Sequence, residues 1–329
     1  MVRTFLSTSY FLLPTYEQIT LICLVLTLYD YIVYRIFMFP NFLPRDVELL
    51  KNSESIELAK NIRREPILTP LLKTEIATAY VRSGTGTPIL LLHGFDSSLL
   101  EFRRLIPLLA STNETWAVDL LGSGFTERSP YISYNPDTIR EHLYYFWQLI
   151  KRPVVLVGIS MGGATAIDFT LSYPEAVEKL VLVNSVGYTG SFEIGRVLPQ
   201  PAIDMGVEFW KQRRAFGLYW GQFLGLLDFE TEDVIRCAAL PSLMPGWTKA
   251  INDFTRSGGY YRLSERIPLV NKPTLILWGE RDEVVGTQAA YRFRDAIARS
   301  QLVWLSCGHS PQWSQPESVA KQIRQFISR

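Results

Sequence analysis

Short apolar runs alternate with amphipathic stretches along most of the chain. Ile76–Val81, Pro88–Leu92, Thr115–Val118, Pro153–Val157, Leu180–Val183, Pro273–Trp278 and Leu302–Leu305 read as strands, most of them continuously apolar. Between them, Leu99–Ala110 reads as a helix. So does Asp137–Ile150, which sets Ile139, Leu143, Phe146 and Ile150 on one stripe. Continuous apolar strands separated by helices predict a mostly parallel sheet covered by helices on both faces, an α/β fold. The alternating core is read over 75–190 and 265–329.

Two segments break this rhythm. Residues 191–264 contain no buried-strand pattern but crowd aromatics, including Trp210, Phe216, Tyr219, Trp220 and Phe223. They read as a helical lid inserted between two strands. Ligands bind beyond the carboxyl ends of such strands, so these five side chains are expected to offer apolar surface to a large lipophilic substrate. At the other end, Ile19–Phe39 is an apolar run of 21 residues with only Asp30 and Arg35 charged, bracketed by Pro14 and Pro40. As a helix it would extend about 30 Å, the thickness of a bilayer core. A charge at mid-span favours an interfacial or tilted anchor over a plain span. Residues 1–44 are therefore read as a hydrophobic, membrane-associated N-terminal segment, and the charged stretch 45–74 as a solvated connector.

Charge and cysteine content narrow the chemistry. A net charge of +1 gives no reason to expect nucleic acid as a partner. Three cysteines, far apart in the chain, imply no disulfide framework, and Cys307 with His309 alone is too small a set for a metal site. No metal or cofactor is expected.

The stretch Val155–Thr165, VLVGISMGGAT, places Ser160 where a strand ends and a helix begins. A sharp strand-to-helix turn strains the residue at its apex and requires very small neighbours two positions away, here Gly158 and Gly162. Ser160 is thus read as a nucleophile needing a base. Of three histidines, His142 falls mid-helix and His93 opens the loop after PILLL, which leaves His309 in the turn after the last strand. Asp282 follows PTLILW at the corresponding sheet end and would fix the imidazole; Glu280 and Glu283 are its neighbouring alternatives. Asp119 is read as ordering its own turn. The amides of Met161 and Phe95 are expected to form an oxyanion hole, with Asp96 and Ser97 at the entrance. The order Ser160, Asp282, His309 is that of the α/β-hydrolases, and a serine there excludes the aspartate-dependent dehalogenase and epoxide-hydrolase variants.

From Glu75 to Arg329 the chain resembles the α/β-hydrolase superfamily. Longer strings, HGFDSSLLEFR (93–103), ETWAVDLLGSGFTER (114–128), REHLYYFWQLIKRPVVLVG (140–158), SGGYY (257–261) and PTLILWGERD (273–282), resemble the chlorophyll dephytylases of oxygenic phototrophs. Ile159 stands before the serine where many hydrolases carry histidine. The resemblance implies a thylakoid-membrane enzyme that removes phytol from chlorophyll a or pheophytin a, with Ser160 as nucleophile, Asp282 as acid and His309 as base. It also implies an association with photosynthetic complexes. A lipase or galactolipase, a carbon–carbon bond hydrolase, and an inactive pigment- or lipid-binding protein are the alternatives to be weighed.

Overall fold

The computed structural model describes residues 39–329, so the apolar segment of residues 1–38 lies outside the described residues. Eight strands form one sheet: β1 (Arg63–Ile67), β2 (Ile76–Ser83), β3 (Pro88–Leu92), β4 (Glu114–Val118), β5 (Val154–Ile159), β6 (Val177–Val183), β7 (Thr274–Gly279) and β8 (Ser300–Leu305). Their order is β1-β2-β4-β3-β5-β6-β7-β8. The pairs β1–β2 and β2–β4 are antiparallel and the other five are parallel.

The continuously apolar strands are buried on both faces because successive side chains point opposite ways. Leu90, Leu92, Leu156, Leu182 and Trp278 face one core with Phe146, Phe169 and Phe293. Ile89, Leu91, Val157, Val183 and Leu277 face the other, with Phe102, Leu105 and Ile323. The first core is roofed by α3 (Pro136–Trp147), α4 (Met161–Ser172) and α8 (Gln288–Ala296); the second by α1 (Ser53–Lys60), α2 (Leu105–Ala110) and α10 (Pro316–Ile327), while α9 (Pro311–Ser314) is a single turn before α10. The start of α3 is set locally: Asn135 and Thr138 form a reciprocal capping box and proline occupies the first turn.

Between β6 and β7 the chain leaves the sheet and forms α5 (Gln200–Phe223), α6 (Phe229–Ala239) and α7 (Trp247–Ser257). No helix among the described residues is long and apolar enough to cross a membrane.

Residues 45–74 are not a solvated connector. They hold a 3-10 turn, α1 and β1, and bury Val47, Leu50, Leu58, Ala59, Ile62 and Ile67. β1 (RREPI) is a polar edge strand with one buried position, a pattern without the alternation that signals a strand.

Candidate active site

The site forms along the carboxyl edge of the parallel strands. Ser160 stands between β5 and α4 with φ 52° and ψ −118°, in the left-handed half of conformational space that a non-glycine residue enters only under constraint. The constraint is visible. Its N–H donates to the Val183 carbonyl at 3.0 Å, and its own carbonyl accepts from Gly163 and Val186, both at 3.0 Å. The two glycines of the motif permit the turn sterically. A Cβ on Gly158 would lie 2.2 Å from the Gly162 carbonyl oxygen, and one on Gly162 would lie 2.1 Å from that of Leu92.

His309, in the turn after β8, brings Nε2 to 3.0 Å from Ser160 Oγ. Its Nδ1 faces Asp282 Oδ2 at 2.9 Å. Asp282 is buried, whereas its neighbours Glu280 and Glu283 are exposed to solvent. The Oδ1 of Asp282 accepts from the amides of Val284 at 2.8 Å and Val285 at 3.1 Å. Burial pushes this carboxyl up, but hydrogen bonds from His309 and Asn184 outweigh it and hold Asp282 below the usual carboxylate range. Asn184 was not singled out from sequence. It follows β6 directly, has φ 44°, donates Nδ2 to Asp282 and accepts the Gly279 amide at 3.2 Å. Its place just past the VLV run of β6, at the same sheet edge as Ser160, was the available signal.

Met161 opens α4, where the first amides have no intrahelical acceptor and the helix dipole favours negative charge. Neither its N–H nor that of Phe95 donates to another described residue. His93 fixes the Phe95 loop from beneath. Its Nδ1–H donates to the Gly94 carbonyl at 2.8 Å, which leaves Nε2 to accept the Leu120 amide at 3.2 Å. Burial lowers its pKa to about 4, so the ring is neutral at physiological pH. His142 is buried on α3 against Thr78 Oγ1 at 2.8 Å, on β2, three strands across the sheet from the β5 that leads to Ser160, with a pKa likewise lowered by burial to about 4. Asp119 accepts the amides of Leu99 at 2.6 Å and Phe125 at 2.7 Å, ordering its own turn.

Asp96 does not line an entrance. It is buried and accepts from Trp210 Nε1 at 2.5 Å and Trp247 Nε1 at 2.9 Å, with Arg214 at 3.1 Å. It therefore fastens the loop that carries Phe95 to α5 and α7. Phe95 adds apolar contact, its ring 4.6 Å from that of Phe192 and 5.8 Å from that of Phe254. Glu101, also missed from sequence, accepts the Gly94 amide at 3.1 Å and Gln312 Nε2 at 2.7 Å, joining this loop to the turn that carries His309. Burial raises its carboxyl above the ordinary range, offset in part by the Gly94 bond.

Ser160 and His309 open onto a cavity of about 580 Å³ bordered by Ser97, Glu101, Trp210 and Arg213. Of the five aromatics expected to face a substrate, only Trp210 lines it. Phe216, Tyr219, Trp220 and Phe223 are exposed on the opposite face of α5. Aromatic content located the helix, but its inward face is fixed by the period of Ile203, Val207 and Trp210. Among the described residues no group of three or more His, Cys, Asp or Glu could hold a metal ion.

Residues 87–316 match the model of the alpha/beta hydrolase fold family. The chain is 34% identical over 305 residues to the Arabidopsis thaliana alpha/beta hydrolase domain-containing protein VTE7, covering 88% of this chain and 91% of that one. It is 30% identical over 270 residues to the 2-hydroxy-6-oxo-6-(2'-aminophenyl)hexa-2,4-dienoic acid hydrolase of Metapseudomonas resinovorans, covering 77% and 88%. A solved membrane phospholipase A shares the fold, with a TM-score of 0.66 at 20% identity over 95% of this chain and 98% of that one. The chain belongs to the α/β-hydrolase fold family and is a hydrolase.

Proposed function

We propose that the protein is a membrane-associated serine ester hydrolase acting on a lipophilic carboxylic ester, in particular the phytyl ester of chlorophyll. The observation that carries the ester chemistry is the unbroken chain from Ser160 Oγ through His309 to Asp282, at 3.0 and 2.9 Å, opening on a cavity. Ser160 Oγ attacks the ester carbonyl as His309 Nε2 takes its proton. The oxyanion receives the amides of Met161 and Phe95. Phytol leaves with the proton from His309, and a water activated by the same nitrogen then releases chlorophyllide from Ser160. Chlorophyll and water thus give chlorophyllide and phytol. No cofactor is needed, because the serine supplies the covalent step.

Substrate identity rests on the resemblance to chlorophyll dephytylases and on physical fit. A cavity of about 580 Å³ is of the size that encloses a drug-sized ligand, so a macrocycle bearing a long isoprenoid chain is held only in part and rests partly at the rim. In this reading the helices between β6 and β7 act as a lid, and the protein works at the thylakoid membrane of an oxygenic phototroph. A carbon–carbon bond hydrolase is the second reading, favoured by the Metapseudomonas relative and by Arg103 and Arg213 beside the cavity.

Incubating the purified protein separately with chlorophyll a, pheophytin a and membrane glycerolipids tests this. Chlorophyllide or pheophorbide release is expected; fatty-acid release without either would make the protein a lipase or galactolipase. Fluorophosphonate labelling that is lost in Ser160→Ala is also expected. Absence of labelling in the native chain would point instead to an inactive binding protein.

A further inference from the structure

The two faces of α5 have different surroundings. Ile203, Val207, Trp210 and Arg214, three or four positions apart, turn inward onto α7 and the oxyanion loop. Opposite them, Met205, Phe209, Phe216, Tyr219, Trp220 and Phe223 recur at the same spacing and are 73, 73, 64, 65, 42 and 72% exposed. From Met205 to Phe223 this stripe runs about 27 Å, interrupted on its own face by Gln212. Leu224, Leu226 and Phe229 prolong it beyond the helix. Trp220 touches the rings of Phe216, Tyr219 and Phe223, which makes one exposed aromatic patch of this part of the stripe, and such patches mark interaction sites.

We propose that the outer face of α5 docks on a lipid bilayer, with the helix lying in the plane of the interface. The proposal rests on the reading that the substrate is a membrane-borne ester. Three observations select a bilayer over a second copy of the chain or the chain's own N-terminal residues. The stripe combines phenylalanines with a Tyr–Trp pair, the set that suits a boundary with hydrocarbon below and water above. The apolar run Ile19–Phe39 ends where the described residues begin. Shortly after, Lys51 and Asn52 are bonded to Glu232 and Asp233 of α6, and Glu232 also accepts from Gln222 at the end of α5, so the chain that follows the apolar run passes beside the end of the stripe. Finally, Trp210 and Arg213 of α5 border the catalytic cavity, so seating the stripe brings the cavity to within a helix diameter of the lipid.

The test uses the full-length chain with Cys23→Ser and Phe216→Cys, labelled at position 216 with an environment-sensitive fluorophore; Cys237 and Cys307 are buried. Phosphatidylcholine vesicles carrying a shallow doxyl quencher in the acyl chain are added. A stripe seated about 5–10 Å into the headgroup–acyl boundary shifts the emission to the blue and quenches most of it. The same label at Glu175→Cys, exposed in the turn before β6 at the opposite edge of the sheet, stays unquenched. Two results would overturn the proposal: vesicle co-flotation with the label at 216 unquenched, or an emission already blue-shifted without vesicles and unchanged by them. The second would mean that protein covers the stripe. Because the readout does not involve hydrolysis, a protein inactive on chlorophyll yet quenched at position 216 retains the docking face and loses only the substrate reading.

Discussion

Replacing Gly162 with alanine separates Ser160 from the Phe95 amide by a distance the structure fixes. The added methyl would lie 2.1 Å from the Leu92 carbonyl oxygen and 2.6 Å from that of His93, both backbone atoms at the end of β3. Side-chain carbons are essentially never found closer than 3.0 Å to such atoms, so the shorter contact must open by about 0.9 Å. β3 is paired on both edges, to β4 and β5, and does not yield easily. The first turn of α4 moves instead, carrying Ser160 and the Met161 amide away from the Phe95 amide, which stays with the loop after β3. A shift of about 1 Å at a reacting centre costs on the order of 100-fold, and a lost oxyanion donor costs 100- to 1,000-fold, so kcat should fall by roughly 1,000-fold or more. Overpacking costs about 1–3 kcal/mol of stability, within what a domain of this size survives. The assay is kcat on a short-chain p-nitrophenyl ester together with the rate of fluorophosphonate labelling, on protein shown to be folded by circular dichroism. Gly206→Ala on α5 is the control: its methyl meets nothing within 4 Å, so kcat stays unchanged and stability rises by about 0.5–1 kcal/mol. A folded Gly162→Ala protein with native kcat would refute the argument.

Other outcomes follow from the same geometry. Asp282→Asn should keep its place beside His309 but lower kcat by about 10,000-fold, because the wrong imidazole tautomer is held; steady-state kinetics on the same ester reads this. Asn184→Ala removes a donor that holds Asp282 below the usual carboxylate range. A depressed carboxyl stabilises the fold above its unfolded value and loses that contribution as pH falls through its folded value. Raising it therefore moves the acid limb of kcat/KM, and of thermal stability, to higher pH in parallel profiles of the two proteins. His142→Gln should flatten stability between pH 6.5 and 4. The folded value near 4 lies below the unfolded 6.5, so native stability from this ring is complete above 6.5 and lost on acidification, on the order of 3 kcal/mol in all. Urea melts at the two pH values would show it, and an unchanged slope would exclude the ring as the cause.

The parts of the fold legible in the sequence were those governed by burial on both faces. Strands such as PILLL and TLILWG are almost wholly apolar and buried at every position, and a chain can bury that pattern in few ways. The turn at Ser160 was legible because sterics demand glycine at two fixed offsets, and Asp282 and His309 because each follows a strand at the same edge. Half-polar elements were not. β1 shows one buried residue in five, and only its pairing with β2 makes it a strand. Asn184, Glu101 and Gln312 act through bonds to residues that folding brings near from 7 to 211 positions away, and no local pattern encodes those. The aromatics of α5 misled for a related reason: a helix period says which side chains share a face, not which face turns inward.

Asp233 of α6 has a consequence for where this chain can be cut. Its carboxylate accepts the amides of Lys51 and Asn52 at 2.9 and 3.0 Å and the Ser55 hydroxyl, all from the segment that precedes the first parallel strand. Removing residues up to 74 would strip the carboxylate of all three, at roughly 1.5–3 kcal/mol for each bond to a charged group, and would expose the outer edge of β2 to strand pairing between molecules. A trimmed protein intended for crystallisation or refolding should keep Leu43 and all that follows it, because Leu43, Val47 and Leu50 are buried in the second core. Beginning it at 75, where the continuous apolar pattern starts, would give an aggregating fragment with a loosened α6.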